Sequence, residues 1–281
     1  MKRGDVPAAY ETAALAFANG SEEARVSDRS PAEVASYRAR YHHLIENDPD
    51  GSWVAESEGR VIGVALSLRR EGLWGLSLLT VDAAHRGRGV GKRLLEHALA
   101  YAEGCRARIT VSSTHPTAMR RYATAGLRLR PTLKADGAVR RKSLPAPLQG
   151  VREGDEGDLD LAAEVDRRVR GAAHGPDLAF MLRTGRLLVC DLPSGRGYAV
   201  MQDGLLALLA ATEAAVATRL LWACLAEGKE EGMEVRWIGA DQAWAIPVVL
   251  SAGLDLSPAG PVCVSGETGP LSPYIPSGVF L

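Results

Sequence analysis

The sequence predicts an α/β protein made of two similar halves, and three observations carry that expectation. Helix-like and strand-like segments alternate along the chain, a pattern that builds layers of helix on sheet. The succession of segments in residues 1–144 recurs in residues 151–281. Between them "PAPLQG", residues 145–150, has two prolines, a terminal glycine and no periodicity, which is linker chemistry. A length of 281 residues suits two domains of ordinary size.

In the first half, residues 6–18 and 31–45 carry apolar positions at helical spacing. Ser30 before Pro31, with Glu33 close behind, is a helix start. "SWVAE" and "VIGVALSL" around "EGR" read as a hairpin, and "LWGLSLLTV" is a strand too apolar for a sheet edge. A glycine-rich turn follows, then a helix from about Val90 to Ala102. "ARITVSS" is a strand, and "TAMRRYATAG" is a short helix stopped by Gly126. "LRLRPTL" and "AVRRKSL" read as a closing hairpin around Asp136 and Gly137.

The second half repeats this order. "GDLDLAAEVDRRV" reads as a helix, "RLLVCD" and "GYAVMQ" as a hairpin, and "LLALLAAT" as the central strand. A helix from about Val216 to Ala226, the strand "MEVRWIG" and the helix "AWAIPVVLSAG" complete it. Ala84 aligns with Ala215 and Val90 with Val216, so the second copy lacks the turn from His85 to Gly89. Gly126 aligns with Gly253, which sets Tyr122 opposite Val249.

Composition excludes several function classes. The chain is 46% hydrophobic and 24% charged, so it can bury a core and is not disordered. A formal net charge of −1 gives no general attraction to nucleic acid or to an anionic membrane. Arg140, Arg141 and Lys142 form a basic cluster that reads as solvated surface. Cys105, Cys190, Cys224 and Cys263 are widely spaced, so neither a metal site nor a disulfide framework is expected. The start has no signal-peptide pattern, because Asp5 and Glu11 interrupt it. The most apolar stretch, Leu205 to Leu225, contains Glu213 and Arg219 and makes a poor membrane span. A cytoplasmic protein is the expectation.

The chemistry concentrates in Arg86, Gly87, Arg88, Gly89, Val90, Gly91 and Lys92, between a strand and a helix. A helix start has unpaired N–H groups and a partial positive charge, and glycines let the main chain approach an anion closely. The spacing is neither G-x-G-x-x-G nor G-x-x-x-x-G-K-[ST], so dinucleotide and triphosphate motifs are not met. The pattern R-x-x-G-x-G, within "LLTVDAAHRGRGVGKRLLEHAL", resembles the GNAT superfamily of acyl-CoA-dependent N-acyltransferases. "HPTAMRRYATAGLRL" is similar to a later motif of that family, with Tyr122 four residues before Gly126.

The resemblance implies two tandem GNAT-like domains, each a mixed, mostly antiparallel sheet flanked by helices. It implies acetyl-CoA as cosubstrate, with its pyrophosphate on the turn from Arg86 to Lys92 and no metal. Main-chain groups near Leu79 and Val81 would polarise the thioester, and His115 stands where the family often has asparagine. Tyr122 would donate to the departing sulfur. The acceptor would be a primary amine of a small molecule or peptide, attacking directly in a ternary complex. The second half, lacking turn and phenol, would cover the first, line its acceptor cleft or form a homodimer contact.

An alkyl ammonium with a pKa near 10.4 is only about 0.1% deprotonated at neutral pH, so transfer needs a base or selection of the free amine. Candidate bases are Glu56, Asp82, Glu22, Glu23, His85 and a water held by Ser112. Asp48, Asp50, Glu56 and Glu58 suggest an acidic acceptor cleft. An alternative from another class is a non-catalytic acyl-CoA sensor or partner-binding module on the same fold.

Overall fold

The helix start expected at Ser30 forms as a reciprocal cap. Ser30 Oγ accepts from Glu33 N at 3.3 Å, and Ser30 N donates to the Glu33 carboxylate at 2.7 Å. The computed structural model describes residues 1–18, 30–146, 150–229 and 232–281. The chain divides into two compact units, one of residues 1–69 and 74–105 and the other of residues 70–73 and 106–281.

The first unit begins with helices α1 (Val6–Ala18) and α2 (Pro31–Asn47). Strands β1 (Ser52–Ser57), β2 (Arg60–Arg70) and β3 (Leu73–Val81) follow in that spatial order. Helix α3 (Val90–Ala100) closes the unit. Its buried face, Val90, Leu94, Leu95 and Ala98, has helical spacing. Gly63 on β2 makes room for that face, since a Cβ there would lie 2.9 Å from Leu94 and 3.4 Å from Val90. Asp48 is fully buried and accepts from Arg69 N at 2.9 Å and Tyr101 Oη at 3.1 Å. It therefore holds the fold together and does not belong to an acidic cleft.

The second unit holds β4 (Ala107–Val111), α4 (Pro116–Thr124) and β5 (Arg128–Gly137). After the linker come β6 (Val151–Gly154), α5 (Leu159–Val169), α6 (Pro176–Leu182), β7 (Gly185–Leu192), β8 (Gly195–Gln202) and β9 (Leu205–Ala211). Then follow α7 (Ala214–Glu227), β10 (Met233–Gly239), α8 (Ala245–Ser251), β11 (Asp255–Gly266) and β12 (Tyr274–Ile275). One set of strands has the order β4-β11-β5-β10, and a separate sheet has the order β12-β9-β8-β7-β6. All pairings resolved within this unit are antiparallel. Helix α7 presents Val216, Ala217, Leu220, Leu221, Cys224 and Leu225 to the core. Each buried leucine there contributes roughly 1.5–3 kcal/mol relative to exposure.

The duplication read from the sequence is visible in the main chain. The order α-α-β-β-β-α-β-α-β runs from α1 to β5 and again from α5 to β11. The ends of α4 and α8 carry the same three hydrogen bonds. Ala125, Gly126 and Leu127 donate to Arg121, Ala123 and Tyr122, while Ala252, Gly253 and Leu254 donate to Val248, Leu250 and Val249. Every donor and acceptor is displaced by the interval that separates Gly126 from Gly253. Both glycines have positive φ, +84° and +93°, as a left-handed helix end requires.

The hairpin expected from "AVRRKSL" does not form. β5 is flanked by β11 and β10, so no edge is left for residues 138–144 to pair with. Arg140 N donates instead to Ala252 O at 2.7 Å. Nor is Arg141 merely solvated. Its guanidinium donates to Ala226 O at 2.5 Å and Gly228 O at 2.9 Å, capping the negative end of α7.

The tip joining β2 to β3 is held by charge within the second unit. Arg70 forms a two-pronged pair with fully buried Asp177, both contacts at 2.7 Å. Removing one member of such a pair strands a buried charge, at a cost of about 3–5 kcal/mol. Glu71 bonds Arg167 at 2.8 Å and Ala173 N at 3.0 Å, and the Arg167 guanidinium holds its carboxyl below the usual range.

Because β5 has both neighbours in residues 233–266, a chain ending at residue 144 loses every β5 pairing partner and the β11 neighbour of β4. Such a truncation is expected to show no cooperative unfolding transition by circular dichroism, whereas the full chain shows one. A cooperative transition in the truncated chain contradicts this account.

Candidate functional site

In the first unit, residues 82–89 carry the chain from β3 into α3. Asp82 starts the turn. Its carboxylate accepts from Ala84 N at 3.3 Å and lies 2.9 Å from His85 Nδ1. The His85 contact is the main reason that the Asp82 carboxyl is held below its usual range. Arg86 folds its guanidinium back onto Val81 O at 3.2 Å and Ala16 O at 2.9 Å, so its side chain braces the turn. Gly87 and Gly89 follow at φ +79° and +81°. A side chain in that conformation costs roughly 1–2 kcal/mol. A Cβ at either position would meet no protein atom within 4 Å. Glycine is therefore required by the backbone angle, and the space outside the turn is open.

The next N–H groups have no acceptor. Those of Gly87, Arg88, Gly89, Val90 and Gly91 make no hydrogen bond among the described residues, and the first to do so is Lys92 N, to Gly89 O at 3.0 Å. Five consecutive free donors at the positive end of a helix form a natural anion cradle. The Arg88 side chain is exposed and has no partner among the described residues. Lys92 is 75% exposed and lies 3.7 Å from Glu96, too loosely held to be kept from another anion. Leu79 and Val81 are half-buried on β3 and alternate with buried Leu78 and Thr80.

The corresponding place in the second unit is built differently. Only Thr212 and Glu213 separate β9 from α7, and Val216 N already donates to Glu213 O at 3.1 Å. The residue before that helix is a glutamate with φ −139° in place of a left-handed glycine. Its carboxylate, 3.4 Å from Arg168, sets a negative charge where an anion would have to bind.

Tyr122 lies on α4 in the second unit and is 6% exposed. Its hydroxyl makes no hydrogen bond to a described residue, yet it is not among the sealed polar atoms. Burial raises its phenol well above the ordinary range, and the nearby Cys263 thiol adds to the effect. His115 caps α4, its Nδ1 accepting from Thr117 N at 3.2 Å. The neutral ring then carries its proton on Nε2 and remains exposed.

The candidate bases fall apart structurally. Glu56 is exposed at a bulge on β1, and Asp82 and His85 are paired with each other. Ser112 Oγ is 2.9 Å from Ser113 O and donates to it. Glu22 and Glu23 lie outside the described residues. One acid–base cluster escaped sequence reasoning. Asp166 lies 2.7 Å from His174 Nδ1 and accepts from Tyr198 Oη at 2.6 Å, with Tyr274 Oη 3.4 Å from His174 Nε2. Asp166, His174 and Tyr198 are completely enclosed, which makes this a structural tie between helices and sheet. Such a cluster has no signal in a single sequence, because Tyr198 and Tyr274 join the Asp166–His174 pair only through the pairing of distant segments.

Among the described residues no group of three histidine, cysteine or acidic side chains is arranged to hold a metal ion. No helix among them is long and apolar enough to cross a membrane.

Residues 18–127 match the model of the Acetyltransferase (GNAT) family. No curated protein matches the sequence. Among solved structures, an unconfirmed acetyltransferase of Pyrococcus horikoshii is similar over 99% of this chain and 93% of its own, with a TM-score of 0.79 at 16% identity. A tandem GNAT protein from the clavulanic acid biosynthesis pathway aligns over 94% of this chain and 95% of its own, with a TM-score of 0.60 at 16% identity. A GCN5-related N-acetyltransferase of Sphaerobacter thermophilus aligns over 95% and 94%, with a TM-score of 0.60 and again 16% identity. Residues 18–127 therefore resemble the Acetyltransferase (GNAT) family, and the chain as a whole shares its fold with these structures, one of them a tandem GNAT protein.

Proposed function

We propose that this protein transfers an acetyl group from acetyl-CoA to a primary amine of a small molecule or peptide. The observation that carries this reading is the run of free N–H donors from Gly87 to Gly91, inside the region that matches the family. A diphosphate suits them, because each charge-assisted bond is stronger than a neutral one and the open space admits the phosphates. Arg88 and Lys92 supply additional positive charge, while Arg86 keeps the turn in shape. Main-chain groups near Leu79 and Val81 are assigned to the thioester carbonyl, and the exposed His115 ring to the cofactor arm. These two assignments follow the family resemblance.

Direct attack by the amine is favoured over an acyl-enzyme route. A covalent route through cysteine needs a thiolate. Burial raises the thiols of Cys190 and Cys224 above their ordinary range and pushes Cys263 up to about 12. Those three thiols therefore stay protonated at neutral pH.

Tyr122 is assigned to the departing sulfur as a hydrogen-bond donor. A simple thiol has a pKa near 8.5 and a phenol near 10, so complete proton transfer is uphill by about 2 kcal/mol before burial widens the gap. The phenol instead steadies the thiolate by a charge-assisted bond of about 1.5–3 kcal/mol. The second half keeps the GNAT architecture, but it has Val249 in place of the phenol and Glu213 in place of the turn. Its role is architectural, and the site of action of the whole chain is assigned to the cytoplasm.

Gly89→Glu is expected to abolish measurable acetyl-CoA binding by calorimetry, while the strain of a side chain at φ +81° lowers the thermal unfolding midpoint by only a few degrees. Unaltered affinity would remove the turn from the proposal. Tyr122→Phe is expected to lower kcat by about 10- to 100-fold with little change in KM for acetyl-CoA. Because burial keeps the phenol protonated, no fall in rate below about pH 10 is expected from its ionisation. An unchanged kcat in the phenylalanine variant takes the phenol out of the mechanism. Free thiol that never accumulates with any amine of a broad panel contradicts the transferase and favours a binding module.

A further inference from the structure

The second unit contains a cavity of about 280 Å³ that the acetyl-transfer reading does not use. It opens where two strands slip against β5. The register of β10 jumps between Val235 and Ile238, and that of β11 between Ala259 and Val262. Pro131 explains the second slip, since it has no N–H to give to β11. Ser112 N donates to Pro261 O at 3.0 Å, which satisfies the displaced carbonyl. The first slip forces Trp237 to φ +56°, a conformation that costs an aromatic residue roughly 1–3 kcal/mol. The indole is half-buried beside the cavity, its edge against Gly278.

The walls are Ile109, Leu129, Val262, Leu271, Trp237 and Tyr274. Polar groups inside are already committed. Gln242 Nε2 donates to Leu271 O at 2.6 Å, and its Oε1 accepts from Trp244 Nε1 and Tyr274 N, both at 2.9 Å. Thr132 Oγ1 donates to Gly260 O at 2.8 Å. The interior thus recognises apolar groups.

Two charges of opposite sign complete the lining. Arg130 Nη1 lies 3.4 Å from Asp241 Oδ2, with the side chains 33% and 58% exposed. That long contact is the only one the guanidinium makes among the described residues, and it leaves donors on Arg130 and an oxygen on Asp241 unused. A lone anion bound to Arg130 would face the Asp241 carboxylate, and a lone cation on Asp241 would face the guanidinium. A ligand with both charges one carbon apart satisfies both residues.

We propose that this cavity binds an apolar α-amino acid, with its side chain between the walls, its carboxylate on Arg130 and its ammonium on Asp241. The volume agrees, being near the lower end of ligand pockets, roughly 300–1,000 Å³. Its occupancy is read without coenzyme A.

Calorimetric titration of the full chain with L-phenylalanine and L-leucine tests it, with phenethylamine and 3-phenylpropionate as comparators lacking one charge each. One-site saturable binding of an amino acid is expected, with each comparator weaker by about tenfold or more. Asp241→Asn and Arg130→Gln are each expected to weaken binding by a similar factor. Gly239→Leu adds an apolar side chain to the cavity lining at a position where a Cβ meets only Pro131 O at 3.8 Å and Thr132 Cγ2 at 3.9 Å. That variant is expected to keep its unfolding midpoint and lose the binding. No saturable binding of either amino acid, comparators that bind equally well, or binding that survives Gly239→Leu would each overturn the proposal.

Discussion

A helix cannot pair its own first N–H groups, and the way a chain disposes of them decides what that helix end can do. At α3 the chain leaves them free. Two left-handed glycines, Gly87 and Gly89, turn the main chain so that five successive donors have no acceptor among the described residues. The Arg86 guanidinium, spent on the carbonyls of Val81 and Ala16, keeps that arrangement from collapsing. A folded protein leaves so many donors unsatisfied at one place only where water or a ligand takes them.

The duplicated half shows what happens when this constraint is relaxed. At α7 the connection shortens to Thr212 and Glu213, and a carboxylate stands at the helix start. The opposite end of the repeat did not diverge in this way. α4 and α8 still finish on the same hydrogen bonds and the same left-handed glycine. The helix end is therefore built alike in both copies, whereas the helix start with free amides is found in the first. The later half is nevertheless not an optional attachment, since β10 and β11 supply both neighbours of β5.

Much of this was legible in the sequence, for identifiable reasons. The turn is local: strand, glycines and helix are contiguous, so their meaning does not depend on distant pairing. Ser30 and Glu33, Gly126, and the alignment of Tyr122 with Val249 are local in the same sense. What escaped is non-local. Alternation shows which face of β5 is buried but not which strands lie beside it, so residues 138–144 were assigned a strand that β10 and β11 left no room for. Arg141 looked like surface because its acceptors, Ala226 and Gly228, are remote in sequence. The pocket beside Trp237 arises from two register slips on β5, and no single-sequence pattern reports a slip. The general base has no sequence signature either, since β3 carries no carboxylate.

The most direct test follows the backbone amides themselves. In a nitrogen–proton correlation spectrum of the isotopically labelled full chain, titration with coenzyme A should move the amide signals of Gly87 to Gly91. Those of Ala214 to Val216, at the equivalent helix start, should stay in place. Stationary signals at Gly87 to Gly91 under saturating ligand, or shifts centred on Ala214 to Val216, would contradict the account.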